Sequence, residues 1–429
     1  MSSTAQDTPI REQPLPSALA RAKELLDRPL TSYQLVIGVS ALLLSLGVVM
    51  VLSASSVLSY QAYGNSYHIV LRQLLWVAVA LPAGWVAAHV PVTVMRRLAY
   101  PALVVAIGLL LATYTPLGVS VNGNRNWLSL GGPLQVQPSE VAKLAIVLWA
   151  ADLFARKDRL LHQSKHVLLP LLPVTGVVFL LVVGQHDLGT ALVLAAIVLG
   201  MLWVVGAPLR VFAVLVIGFG GLVTRLVVTN SERLDRLTTF TDPMSDIEGQ
   251  GWQTAHGFYA LASGQFWGVG LGASRQKWGG LPEAHTDFIF AVIGEELGLA
   301  GTLVVVVAFL ALAYAGLRIA TRTRDRFVCY CSAGITVWLL AQAIINLGMV
   351  LGLLPVIGIP LPLVSYGGSA LVPTVVALGM LLAFATTEPG ARAALRASRN
   401  ARARRLRGVV VSGRTQVQDR RSQRAGRDG

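Results

Sequence analysis

Residues 281–317 read LPEAHTDFIFAVIGEELGLAGTLVVVVAFLALAYAGL, a polar segment followed by a long apolar run. The apolar part, from 288 to 317, exceeds the roughly 20 residues that a helix needs to cross the hydrocarbon core of a membrane. Carboxylates stand at its start and inside it, at Glu283, Asp287, Glu295 and Glu296. The stretch therefore predicts a membrane-spanning helix whose entrance carries several acidic groups.

The same pattern recurs along the chain, which has 429 residues, of which 54% are hydrophobic, and a mean hydropathy of +0.63. Asp, Glu, Lys and Arg make up only 13% of the residues, about half of their share in a soluble domain. We therefore expect an all-α polytopic membrane protein with about ten transmembrane helices and a long extracytoplasmic loop between the seventh and the eighth. The predicted spans are 33–56, 68–90, 98–117, 138–155, 167–184, 188–206, 209–228, 288–317, 327–352 and 369–386.

The distribution of Lys and Arg predicts the orientation of these spans, because cytoplasmic loops carry an excess of both residues. With the N-terminus inside, most loop cations fall on the cytoplasmic side, and nearly all outside ones lie in one long loop. We expect both termini in the cytoplasm and three parts: an N-terminal tail over 1–31, a ten-helix membrane domain over 32–386 and a basic, disordered tail over 387–429. The first thirty residues lack an apolar core, so no cleavable signal peptide is expected.

The net charge of +14 arises largely after the last apolar run, in a segment that begins RAALRASRNARARRLRG at Arg392. A basic tail beside a membrane domain favours contact with anionic lipid, with a cytoplasmic division protein as the alternative, and argues against nucleic acid as a partner. The two cysteines, Cys329 and Cys331, face different sides of one predicted helix, so we expect neither a disulfide nor a metal site.

Two outside loops, 117–137 and 230–286, are longer than the topology requires and are rich in Trp, Gly and charged residues. Long loops on a compact scaffold are usually functional or disordered, and this composition favours function. The second loop contains Arg236, Arg275 and Lys277, cations that suit phosphate oxygens.

Several charged residues fall where lipid would otherwise be expected. Glu140 and Lys143 lie three apart at the start of the fourth span, so they can pair on one helix face. They form either a structural ion pair or the lining of a polar cavity. Asp187 is interpreted as a cap of the sixth helix, and the adjacent glutamates inside the eighth span as structural polar contacts, each with a functional role as the alternative.

Asp287 has two possible roles. It can cap the eighth helix, a position that Asp fills well. It can also act as a general base, because a carboxylate where a helix end meets an aqueous cavity is rigidly held and partly desolvated. The residues alone leave both roles open.

Four segments keep an order and a spacing that identify a family. They are NGNRNWLSLGGPLQVQPSEVAKLA at 122–145, DLGTA at 187–191, GQFWGVGLGASRQKWGGLPEAHTDFIFAVIGEELG at 264–298 and NLGMVLGLLPVIGIPLPLVSYGGSALV at 346–372. With the ten-span topology, they resemble the SEDS family (shape, elongation, division and sporulation), the FtsW/RodA/SpoVE type. The resemblance covers about 35–386, and 281–298 is more similar to the division branch, FtsW, than to the elongation branch, RodA.

The resemblance implies a peptidoglycan glycosyltransferase that polymerises lipid II during septal wall synthesis, with Asp287 as the essential catalytic residue. The sequence departs from the family pattern at three positions. Asn126 stands where the family often has Arg, so that Arg125 lies one position early, and His186 replaces a Pro. Ile357 stands where some division members have Lys, so no cationic role is assigned to it. The predicted substrate-binding residues combine those of the family motifs, the loop cations and the polar neighbours of Asp287. They are Arg125, Trp127, Glu140, Lys143, Arg236, Arg275, Lys277, Glu283, His285, Ser365 and Ser369.

The resemblance also implies partners and a location. The expected partners are lipid II as substrate, a class B penicillin-binding protein as transpeptidase, other division proteins and membrane lipids. The expected location is the cytoplasmic membrane of a bacterium, with enrichment at the septum. No spacing demands a metal ligand set, although Mg²⁺ or Mn²⁺ could assist a pyrophosphate leaving group. A lipid II flippase or transporter, a non-catalytic scaffold and an elongation polymerase of the RodA type stay open as alternatives.

Overall fold

All ten predicted apolar segments are helical in the computed structural model of the chain. The structure describes residues 27–121, 124–129, 131, 135–161, 163–229, 240, 243–244, 246–247, 249 and 251–397. The helices are α1 (Thr31–Tyr63), α2 (His68–His89), α3 (Val92–Ala112), α4 (Pro138–Arg156), α5 (Ser164–Gly184), α6 (Leu188–Val205), α7 (Leu209–Val228), α8 (Trp252–Gly264), α9 (Ile289–Arg322), α10 (Arg326–Val350) and α11 (Leu371–Ala385).

Seven helices in the described part of the chain are long and apolar enough to cross a membrane. They are α1, α2, α3, α6, α9, α10 and the helical segment Gly368–Ala385, which includes α11. Lengths of 18 to 34 residues in these helices suit a hydrocarbon core of about 30 Å at 1.5 Å per residue. The chain is therefore a mostly helical, multi-pass membrane protein.

Two helices differ from the sequence prediction. The third predicted span, 98–117, extends five residues beyond the end of α3, which stops at Ala112. The Thr113 hydroxyl donates to the carbonyl of Leu110 at 2.7 Å, and Pro116 disfavours helical backbone in the residue before it. The other difference is α8, a helix inside the segment that the sequence predicted only as an outside loop.

The first predicted loop folds into a small antiparallel sheet, which the sequence analysis did not predict. Its strands, in the order β1-β2-β3, are β1 (Gly118–Val121), β2 (Asn124–Ser129) and β3 (Gln135–Val136). Val119 lies opposite Trp127, and Leu128 lies opposite Val136. Because β3 is followed directly by α4, the sheet sits at the start of that helix.

Helix α9 is interrupted at Gly298, whose φ of 67° and ψ of −165° are not helical. An interrupted helix leaves backbone groups without partners, which is costly away from water. Here the segment that follows α8 fills the gap. Four backbone hydrogen bonds of 2.9–3.2 Å connect the two: Val269 N to Glu295 O, Gly270 N to Glu296 O, Leu299 N to Gln265 O and Ala300 N to Phe266 O.

The core lies around α4, α10 and α11, whose side chains are mostly buried. Helices α2 and α11 approach closely, since a Cβ at Gly379 would lie 2.2 Å from the carbonyl oxygen of Gly84. The segment Ser32–Arg392 forms one compact unit. Helix α10, part of this core, contacts the backbone of Asp287 through Asn346.

Candidate active site

Asp287 lies in a tight turn directly before α9. The turn is closed by the carbonyl of Glu283, which accepts hydrogen bonds from the amides of Thr286 and Phe288, each at 3.2 Å. The N-cap residue of α9 is Phe288, and no side chain caps the helix there. Asp287 therefore does not act as the N-cap, and as a residue it is half-buried.

The surroundings of Asp287 favour its protonated form. Burial in the protein, followed by the negative charge of Glu283, raises the pKa of the Asp287 carboxyl from 3.8 to about 7. The Glu283 side chain is itself exposed, and it accepts a hydrogen bond of 2.6 Å from the Thr286 hydroxyl. A carboxyl group with a pKa near 7 can accept and release a proton close to physiological pH, as a general base requires.

His285 and Tyr366 form the neighbouring wall of the site. The amide of Tyr366 donates to the carbonyl of His285 at 2.9 Å, and their rings lie 5.6 Å apart. Burial lowers the pKa of His285 against the opposing effect of Glu283, which favours the neutral imidazole. The structure thus brings the three predicted residues Glu283, His285 and Asp287 together.

The sequence analysis did not place Tyr366 or Arg72 beside Asp287. Burial raises the pKa of the Tyr366 phenol, and the positive charge of Arg72 partly opposes this effect. Arg72, near the start of α2, therefore acts electrostatically on the same wall as Asp287. In the sequence, Arg72 is a single charged residue near the start of an apolar run, which does not reveal its distant neighbour Tyr366.

Asn346 is a second residue that the sequence analysis did not select. Its side-chain nitrogen donates to the carbonyl of Asp287 at 2.8 Å and to that of Ile359 at 2.7 Å. A Cβ at Gly358 would lie 3.4 Å from Oδ2 of Asp287. The segment around Gly358 therefore borders the Asp287 carboxylate.

Glu140 and Lys143 form an ion pair of 2.7 Å in the bundle interior, where their exposed fractions are 3% and 1%. Lys143 also donates to Oε1 of Gln342 at 3.0 Å and lies 5.5 Å from the centre of the Trp338 ring. Neither charge is open to solvent here, so the pair contributes to helix packing in this structure. A direct contact of these residues with substrate stays a prediction.

The sheet holds Asn126 against the start of α6. Asn126 donates to Oδ2 of Asp187 at 2.9 Å, and the other oxygen of Asp187 accepts from the amide of Thr190 at 2.9 Å. The interpretation of Asp187 as a helix cap is confirmed. Arg125 instead faces outward and donates to the carbonyl of Thr115 at 2.8 Å. The residue at the family's Arg position, Asn126, is thus a buried structural contact.

Glu295 and Glu296 fasten the segment after α8 to the interrupted part of α9. Glu295 accepts from the Ser274 hydroxyl at 2.6 Å and from the amide of Arg275 at 2.8 Å. The Lys277 ammonium lies 3.7 Å from Glu296. The structural interpretation of both glutamates is confirmed, and the charge of Lys277 is largely neutralised by Glu296. Arg275 has an exposed side chain.

The remaining predicted residues organise backbone or lie elsewhere. Ser365 Oγ accepts from the amide of Leu361 at 2.8 Å, and Ser369 Oγ accepts from the amide of Gln137 at 3.0 Å. Trp127 is half-buried in β2. Arg236 lies outside the described residues.

Among the described residues, no three His, Cys, Asp or Glu side chains cluster as a metal site would need. Glu283 and Asp287 do offer two neighbouring carboxylates. Mg²⁺ is often held by one or two carboxylates together with substrate phosphates. The donor set therefore fits such an ion when substrate is bound, and its presence stays a prediction.

The fold and the site define a polytopic membrane protein with a proton-accepting carboxylate at the start of an interrupted helix. A sequence profile described as "Cell cycle protein", FTSW_RODA_SPOVE, matches residues 33–389. The chain belongs to this family, which is the SEDS family that its motifs resemble.

Curated relatives and solved structures agree with this assignment. The chain is 42% identical over 382 residues to the "Probable peptidoglycan glycosyltransferase FtsW" of Mycobacterium tuberculosis, covering 89% of this chain and 73% of that one. It is 42% identical over 346 residues to the protein of the same name from Marinobacter nauticus, covering 80% and 86%. The crystal structure of the rod shape determining protein RodA of Thermus thermophilus matches with a TM-score of 0.60 and 27% identity, covering 82% and 97%.

A further solved structure is described as "Structural coordination of polymerization and crosslinking by a peptidoglycan synthase complex". It matches with a TM-score of 0.65 and 27% identity, covering 82% of this chain and 96% of that chain.

Proposed function

We propose that the protein is a peptidoglycan glycosyltransferase that polymerises lipid II into glycan strands during septal wall synthesis and releases undecaprenyl pyrophosphate. The observation that carries this proposal is Asp287, a carboxyl group of a half-buried residue in the turn before α9, whose pKa burial raises to about 7. The names of the curated relatives support the reaction class. Their naming as FtsW favours the septal role over the elongation role.

The chemistry needs a base more than an acid. A sugar hydroxyl of the acceptor attacks the anomeric carbon of the donor, and the hydroxyl must lose its proton as the bond forms. Asp287 accepts that proton, a contribution worth roughly 10²–10⁴-fold in rate. The pyrophosphate leaves as an anion, so the second, proton-donating carboxyl of a glycoside hydrolase is not needed.

The leaving pyrophosphate needs cations. Guanidinium groups match phosphate oxygens geometrically. Arg72 acts on the wall beside Asp287, and the exposed side chains of Arg125 and Arg275 are further candidates. A bound Mg²⁺ or Mn²⁺ would share this task by neutralising phosphate charge.

Both lipid-linked substrates are anchored in the outer leaflet, so the proposal includes a topology. We infer ten spans, with both termini in the cytoplasm and the segment between α7 and α9 outside. The parts are then a cytoplasmic tail over 1–31, a membrane domain over 32–386 and a basic cytoplasmic tail over 387–429 that contacts anionic lipid. Asp287 lies at the outer surface of the membrane in this arrangement.

The proposed partner is a class B penicillin-binding protein that crosslinks the new strands, together with other division proteins at the septum. The structural match to a peptidoglycan synthase complex, whose description joins polymerisation with crosslinking, supports such a partner.

Strand synthesis by the purified protein with its transpeptidase tests the proposal. Wild type should convert labelled lipid II into glycan strands, and Asp287→Asn should lose about 10²–10⁴-fold of that rate at unchanged folding. Asp246→Asn, which removes an exposed carboxylate from the segment before α8, is the matched control. Equal rates in wild type and Asp287→Asn would show that Asp287 is not the general base. An inactive wild type beside an active reference polymerase would instead favour a transporter or a scaffold.

A further inference from the structure

Asn346 is a fully buried amide in the apolar helix α10, with an exposed fraction of 0%. A buried amide is costly unless it is hydrogen-bonded. Its nitrogen makes two short bonds, 2.8 Å to the carbonyl of Asp287 and 2.7 Å to the carbonyl of Ile359. One side chain therefore joins two segments that are more than seventy residues apart in the sequence.

The chemistry of the two partners fixes the orientation of this amide. Both partners are carbonyl oxygens, which only accept, and an amide nitrogen carries two hydrogens. The flipped amide would place Oδ1 against both carbonyl oxygens and would lose both bonds. Asn346 therefore acts as a double donor, and both of its hydrogens are used.

The second segment forms a wall of the site. Gly358 precedes Ile359, adopts a φ of +68°, and would place a Cβ 3.4 Å from Oδ2 of Asp287. One turn earlier on α10, Nε2 of Gln342 donates to the carbonyl of Pro360 at 3.1 Å. Two side-chain amides of α10, those of Gln342 and Asn346, thus hold the segment 358–360 beside the carboxylate.

We propose that Asn346 is a positioning residue for Asp287, which sets the separation between the carboxylate and the segment 358–360. This inference rests on the proposed function. The acceptor sugar must enter the space that the carboxylate and this wall define. Because a displacement of about 1 Å can cost on the order of 10²-fold in rate, a fixed separation is needed for efficient proton transfer.

The test compares two variants of Asn346 with a matched control. Asn346→Ala removes both donors, and Asn346→Asp keeps the shape but places an acceptor against two carbonyls. Ser332→Ala is the control, because Ser332 is also buried in α10 and its hydroxyl has no hydrogen-bond partner among the described residues. Rates of strand synthesis are divided by the concentration of folded protein, which is taken from the monodisperse fraction in size-exclusion chromatography.

Both Asn346 variants should synthesise strands about 10- to 100-fold more slowly, with KM changed less than about threefold since Asn346 does not touch the substrate. The acidic limb of the pH profile should move to lower pH, because a loosened turn admits water and favours the ionised carboxylate. Rates and pH profiles equal to those of Ser332→Ala would show that Asn346 only stabilises the fold and would overturn the proposal.

A second readout separates this inference from the proposed function. A water-soluble carbodiimide modifies accessible carboxyl groups, and mass spectrometry quantifies modification at Asp287. We expect modification at least severalfold faster in Asn346→Ala than in wild type and unchanged in Ser332→Ala. If wild type made no strands, the proposed function would fail while this labelling still decided the positioning role. Equal labelling rates in all three proteins would overturn the role.

Discussion

Removing the charge of Glu283 should shift the pH dependence of strand synthesis to lower pH. Burial and Glu283, in that order, raise the Asp287 pKa from 3.8 to about 7, a difference of about 3 pH units. Since Glu283 is the smaller cause, its charge accounts for less than about 1.5 of these. A shift of the midpoint from about 7 to about 6 would raise the ionised fraction of Asp287 at pH 6 from about one tenth to one half, about fivefold.

Glu283→Gln removes the charge while its amide keeps an oxygen for the Thr286 hydroxyl, which donates to Glu283 at 2.6 Å. The assay is the initial rate of lipid II consumption between pH 5 and pH 8.5, with wild type rising through a midpoint near 7. Asp246→Asn controls for the loss of one negative charge elsewhere. A midpoint that stays fixed or rises in Glu283→Gln would refute the assignment of this titration to Asp287.

Three further predictions concern stability, each measured by thermal unfolding of the purified protein. The folded-state pKa of Asp287 lies above its ordinary value, so the folded protein loses stability as pH rises from about 4 to 7. Asp287→Asn should therefore have a higher Tm than wild type at pH 8, and the difference should vanish toward pH 4. An equal Tm at pH 8 would contradict the raised pKa. Lys143→Met should cost about 3–5 kcal/mol by leaving Glu140 uncompensated, and Glu140→Gln in the same chain should restore most of this; a single variant as stable as wild type would disprove the buried pair. Gly298→Ala should lower Tm by the equivalent of ~1–3 kcal/mol, because the φ of Gly298 is +67° and a Cβ would lie 2.4 Å from the carbonyl oxygen of Phe266. Gly38→Ala, where a Cβ meets open space, should leave Tm unchanged. Equal losses of Tm in both variants would show that the interruption of α9 is not the cause.

Ten of the helices could be located from the sequence because each contains a long apolar run, whereas α8 lies in a segment without such a run and was predicted as a loop. The sheet could not, since its strands of 4, 6 and 2 residues owe their register to pairing across a loop rather than to a local pattern. The break in α9 was equally hidden. Gly298 sits in a run that reads as one helix, and only the distant segment after α8 supplies the four hydrogen bonds that stabilise the break.

Site residues could be predicted where their position relative to an apolar run indicates their role. Asp287 stands between a polar segment and an apolar run, and that boundary is visible in the sequence. Asn346 is one polar residue within an apolar helix, and no local pattern shows that its amide reaches Asp287 and Ile359. Lys277 illustrates the reverse case: it was selected as a loop cation, and its ammonium lies beside Glu296, a partner that only the folded chain reveals.

The release of undecaprenyl pyrophosphate tests the central claim most directly, because it counts glycosidic bonds rather than movement of lipid. Purified protein with its transpeptidase would receive radiolabelled lipid II, and the released pyrophosphate lipid and the glycan strands would be measured together at pH 7.5. Wild type should release close to one pyrophosphate lipid for each disaccharide added, and Asp287→Asn should release at least about 100-fold less at the same folded concentration. Equal release from the two proteins would contradict the role of Asp287 as the base.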